Sequence, residues 1–80
     1  MKVQVQVCEG TYNVRACAQL PDGKVFDSRR DNRARVLLEV CGEVLHHVAD
    51  SLISAAVHGS IPAEWAGIDL TRVEFEVTPE

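Results

Sequence analysis

The chain has 80 residues, 46% of them hydrophobic and 25% charged, with 12 acidic against 8 basic side chains and a formal net charge of −4. That length holds one domain, near the lower limit for burying a core without staples, and the composition excludes a disordered chain. No membrane span, no signal or transit peptide at the N-terminus, and no disulfide framework or closed zinc site on the unrelated spacings of Cys8, Cys17 and Cys41 is expected. Reduced thiols in the cytoplasm are the expectation.

Charge is distributed unevenly. Residues 1–35 hold seven basic and four acidic residues, whereas from Val36 onward Arg72 alone stands against eight carboxylates. An acidic surface repels the nucleic-acid backbone and attracts proteins that bind that backbone.

Lys2 to Cys8 alternates Val3, Val5 and Val7 with Gln4, Gln6 and Cys8, the pattern of a half-buried strand. Glu9-Gly10 is read as a two-residue turn, with Thr11 to Leu20 as the second strand. That turn pairs Val7 with Tyr12, Val5 with Val14 and Val3 with Ala16, apolar against apolar throughout. Leu20-Pro21-Asp22-Gly23-Lys24 has the residues of a tight turn, and Lys24 to Ser28 forms a short third strand that brings Phe26 near Ala18.

An Arg-rich stretch, residues 29–35, leads into a helix from Asn32 to His58, with Ser28, Asp31 or Asn32 as candidate N-caps and Gly59 as the stop. At 100° per residue, Ala34, Leu37, Cys41, Val44, Leu45, Val48, Leu52, Ala55 and Ala56 gather on one side. Glu39, Glu43, His46 and Asp50 gather on the other. The helix would be roughly 40 Å long, enough to cross a small sheet.

Residues 60–68 read as a loop with one helical turn from Pro62 to Ala66, and Trp65 is expected to fold back onto Ile53 and Val57. Leu70 to Thr78 is the last strand, with Thr71, Val73, Phe75 and Val77 inward, Arg72, Glu74 and Glu76 outward, and Pro79 at its end. The expected fold is α+β, in the order β-β-β-α-β: a mostly antiparallel four-stranded sheet with one long helix packed on one face. Its position leaves the last strand beside either the first or the third. The expected core is Val3, Val5, Val7, Tyr12, Val14, Phe26, Leu37, Val44, Leu45, Val48, Leu52, Val73, Phe75 and Val77.

Three constellations have the residue types of chemistry without its setting. Glu43 and His46 have the Glu-x-x-His spacing of carboxylate-bridged metal bundles, which need further ligands from other helices. Asp50, Ser54 and His58 step along one exposed helix face with no oxyanion hole. Cys41 lies on the core face, about 140° from His46. The expectation is therefore no enzyme, no metal and no cofactor.

The best binding candidates are the carboxylates Glu39, Glu43 and Asp50 along the outer helix and Glu74 and Glu76 on the outer sheet face, with Glu64, Asp69 and Glu80 near element ends. Arg29, Arg30, Arg33 and Arg35 are a second candidate, a contact for an anion or an acidic partner, because cations at a helix N-terminus oppose its dipole. Pairing with Asp27, Asp31 and Glu39 is the simpler account of them.

One short acidic domain, a sheet with a helix across it, no catalytic motif and polar or acidic exposed faces: in these respects the chain resembles the small phage-encoded anti-CRISPR proteins directed at type I Cascade complexes, type I-C among them. The likeness lies in size, charge and architecture, so it transfers no residue role. It implies binding, in the bacterial host's cytoplasm, to a nucleic-acid-binding effector subunit at or near its DNA-binding surface. Carboxylates would then stand in for phosphates opposite Lys and Arg. Two other classes remain open. One is a homo-oligomeric structural or antitoxin-like domain pairing through exposed Val36, Val40, Ile53 and Val57 or an open edge strand. The other is a small nucleic-acid-binding domain using the Arg29 to Arg35 cluster, although the open sheet face has no aromatic on which a base could stack.

Overall fold

A computed structural model describes residues 1–79; Glu80, counted above among the outlying carboxylates, lies outside them. The elements run β1 (Lys2–Glu9), β2 (Val14–Gln19), β3 (Val25–Arg30), α1 (Arg33–His58), a single 3₁₀ turn (Ala63–Trp65) and β4 (Glu74–Pro79). One four-stranded sheet has the order β3-β2-β1-β4. β2 pairs antiparallel with both β1 and β3, and β4 adds to β1 in parallel, Lys2 opposite Glu74 and Val5 opposite Val77. The expected α+β arrangement is thus present, and the last strand sits beside the first.

The first hairpin corrects the expected register. Four residues, 10–13, connect the strands, closed by Gly10 N–H donating to the Asn13 carbonyl at 2.8 Å. Val5 faces Ala18, Val7 faces Ala16 and Glu9 faces Val14. A two-residue hairpin turn of the favoured kind needs positive φ at its first central residue, here Glu9. The longer connection avoids this, since among the described residues positive φ occurs only at Gly23, Gly59 and Gly67. The slip is even, so inward residues stay inward. Tyr12, expected in the core, moves into the connection and is 91% exposed.

Asn32 caps α1 by accepting the Arg35 backbone N–H at 2.9 Å, and Gly59, at φ 73°, closes it by donating to the Ala55 carbonyl. The helix lies over β2 and β3. Its buried stripe is Val36, Val40, Val44 and Val48, facing the small inward residues Ala16, Ala18 and Ser28 of those strands. Valines four apart over alanines let the helix axis approach the sheet closely, which a leucine stripe would prevent. The helix is therefore rotated from the expected orientation. Leu37 and Leu52 are half-buried and Leu45 is 47% exposed, while Val36 and Val40, offered above as an exposed pairing surface, are inside.

Trp65 is also placed differently. It is buried, with its ring 6.3 Å from that of His47, and Ile53 and Val57, its expected cover, are exposed. Ala16, Ala18, Leu20, Trp65 and Leu70, none of them in the expected core set, also join it. β4 begins at Glu74, so Thr71 and Val73 precede it. As a sheet-edge strand beyond the helix it leaves Val73 and Phe75 half-covered and Val77 37% exposed.

Candidate functional site: an acidic helix flank over an apolar floor

The helix rotation brings its polar side over the edge of β3. There a groove of about 460 Å³ is lined by Glu39, Glu43, His46, His47 and Asp50 above an apolar floor of Phe26, Leu38 and Gly42. Three of the five expected carboxylates thus share one surface. Glu39 accepts from the Arg30 guanidinium, and Asp50 lies 3.4 Å from His46 one turn earlier. Glu43 is exposed and makes no ion pair among the described residues.

Glu74 and Glu76 are not brought there. They stand on the outer sheet face opposite Lys2 and Gln4, and Glu76 pairs with Lys2 at 3.5 Å. On β1, β2 and β3 the rest of that face is Gln4, Gln6, Cys8, Arg15, Cys17, Gln19, Val25, Asp27 and Arg29, all on the strand parity that turns away from the helix. The two carboxylate groups therefore lie on opposite faces of the molecule.

The arginines do not form one patch. Arg29 lies on the outer face beside Arg15, and with Arg15 it holds the Asp27 carboxyl below its ordinary range, the Arg15 hydrogen bonds being the main cause. Arg30 turns to Glu39, Arg33 to Glu9 at 3.7 Å, and Arg35 to Asp31 at 3.6 Å. Divergent partners scatter the positive charge around the helix start.

The groove's inner wall holds a contact that the sequence did not announce. His47 Nε2 is 2.7 Å from Asp22 Oδ2, and the imidazole stands edge-on to Phe26 at 5.6 Å. Partial burial works against ionisation of Asp22, but the His47 hydrogen bond, the Lys24 N–H and the charge of His47 outweigh it and draw the carboxyl below its ordinary value. Ser51 Oγ donates to the His47 carbonyl, so it is directed away from the imidazole. The dyad pins helix, turn and Trp65 together. A signal existed in Asp22 being the fixed residue of a Pro-Asp-Gly turn, but nothing local named its partner 25 residues on.

Glu43 and His46 share the groove rim, and among the described residues no three His, Cys, Asp or Glu side chains converge as metal ligands. Asp50, Ser54 and His58 remain spread along the exposed helix, and Cys41 is half-buried, its thiol pushed up by burial. All three cysteines are free. No described helix is long and apolar enough to cross a membrane. No protein-family model, curated protein or solved structure matches the chain.

Proposed function

We propose that the chain is a non-enzymatic, protein-binding inhibitor that presents its acidic helix flank to the basic, nucleic-acid-binding surface of a partner. The sharpest form of the proposal is an anti-CRISPR-like block of target-DNA recognition by a type I effector complex. The observation that carries it is the groove in which Glu39, Glu43 and Asp50 rim a floor of Phe26 and Leu38. Carboxylates at phosphate-like positions attract Lys and Arg, while the apolar floor offers their aliphatic stems a dry surface. A carboxylate rim alone would give only weak, salt-screened attraction.

The test is a pull-down of the tagged chain against assembled type I Cascade and its separate subunits, followed by a target-DNA shift assay on any complex. Binding with loss of DNA recognition, reversed by Glu43→Lys with Asp50→Lys and retained in Glu74→Lys with Glu76→Lys, supports the helix flank as the contact. Retention in the first pair and loss in the second would move the contact to the outer sheet face. No binding and intact DNA recognition would remove Cascade as the target.

A further inference from the structure

Helix α1 has a second apolar face that its own sheet does not cover. Between the valine stripe and the acidic flank, Leu38, Gly42, Leu45, Ala49, Leu52 and Ala56 occupy a ~100°-wide sector with no polar residue among them. Leu38 is 77% and Leu45 47% exposed, and Gly42, Ala49 and Ala56 are exposed as well. The spacing alternates four and three: leucines at 38, 45 and 52, small residues at 42, 49 and 56. That is a heptad seam with a large residue at one core position and a small one at the other. Below it, Leu45, Ala49 and Leu52 line a groove of about 410 Å³ that Leu70 and Val73 close on the far side.

We infer that this seam packs against the same seam of a second copy, antiparallel, about a two-fold axis level with residue 47 along the helix, on the side away from the His47 imidazole. Such an axis sets Leu38 against Ala56, Gly42 against Leu52 and Leu45 against Ala49 of the other copy. Every leucine then meets a gap, which is what self-complementarity under a two-fold requires. Small residues at alternate positions bring the axes toward the short end of the ~8–10 Å range.

Two features of the single chain fit this occupant. Gly42 is in mid-helix, where glycine is a poor choice, and a Cβ built on it meets nothing within 4 Å. Nothing inside the chain asks for a glycine there, whereas the opposing Leu52 does. The helix also has no acidic residue in its first turn, and Arg33 and Arg35, paired within the chain to Glu9 and Asp31, stand at that end against the dipole. Antiparallel pairing carries those arginines to the carbonyl end of the other helix, where the dipole favours them. A helix of unrelated sequence has no reason to match both the size alternation and the charge polarity.

The seam leaves Glu39, Glu43 and Asp50 exposed but covers Leu38 and Gly42 of the groove floor, so a dimer would meet the proposed partner through these carboxylates and Phe26. The pairing is tested on the full chain under reducing conditions by sedimentation equilibrium up to millimolar concentration. The expected mass is twice the 8.8 kDa of one chain. Leu38→Lys and Ala56→Glu each reduce it to the monomer with the helical circular dichroism unchanged, and Glu43→Lys, outside the seam, does not. The double variant Leu38→Lys with Ala56→Glu restores the dimer, because the new charges face each other across the two-fold yet lie ~27 Å apart within one chain. A wild-type chain that stays at 8.8 kDa, leaving the face to some other protein's helix, overturns the inference. So does a dimer indifferent to both single variants, or a folded double variant that remains monomeric.

Discussion

His47 Nε2 and Asp22 Oδ2, 2.7 Å apart, join the middle of the helix to the turn between β2 and β3. The side chains are 29% and 18% exposed, so the pair is partly withdrawn from water and screening. Because the Asp22 carboxyl is held below its value in the unfolded chain, the contact stabilises the fold above that unfolded value, near 3.8, and the contribution disappears as pH falls through the folded value. Asp22→Asn is expected to lower stability by about 1 kcal/mol at neutral pH. Urea midpoints measured across the acid range should show the wild type converging on the variant below about pH 4; parallel curves throughout would mean that the carboxylate charge plays no part.

Val44 and Leu45 are neighbours in sequence with opposite fates, one fully buried and one 47% exposed. Val44→Ala removes two methyl groups from the buried helix-to-sheet interface and is expected to cost about 2 kcal/mol. Leu45→Ala, which would cost about 2 to 5 kcal/mol at a fully buried site, is expected to cost about 1 kcal/mol or less here, measured below the concentration at which the chain self-associates. The inverse order in urea denaturation would return the helix to the orientation that its leucines suggested.

That orientation shows where sequence reasoning stops. Strand alternation, the Pro-Asp-Gly turn, the Asn32 cap and the Gly59 stop are local, and β1, β3 and α1 formed close to where their own residues specified, whereas β2 and β4 start later, at Val14 and Glu74. The helix has two apolar stripes, however, and periodicity merges them into one face centred between them. The choice was made by Ala16 and Ala18 on another element, whose small size admits the valines. The acidic flank was legible as a set of carboxylates on one helix side; its apolar floor was not, because Phe26 comes from β3. Likewise, the spread of Arg29 to Arg35 depends on strand parity and on partners up to 24 residues away in sequence.

Trp65, the single tryptophan, is buried beside His47 although it lies in a connecting segment. Its fluorescence should therefore be blue-shifted in the folded chain and move to the red in one step with loss of helical circular dichroism. Trp65→Ala is expected to cost about 3 to 5 kcal/mol, enough to unfold most molecules of so small a domain at room temperature. A folded variant with wild-type stability would show that residues 60–70 are a passive connection.

Gly42→Ala separates the two demands on the helix. Within one chain the added methyl group meets nothing within 4 Å, so the substitution acts only on helix propensity and is expected to stabilise the monomer by about 1 kcal/mol. Across the proposed seam the same methyl group would press on the leucine of the second copy and force the axes apart, weakening association. Thermal unfolding at micromolar concentration should show a higher midpoint than wild type, and sedimentation at high concentration should show less dimer. A gain in both would mean that close approach at residue 42 is not required, and a loss of monomer stability would point to a contact at this position within the chain itself. Opposite signs from one methyl group are the expected outcome, since glycine at this position is unfavourable for the helix and favourable only for what packs upon it.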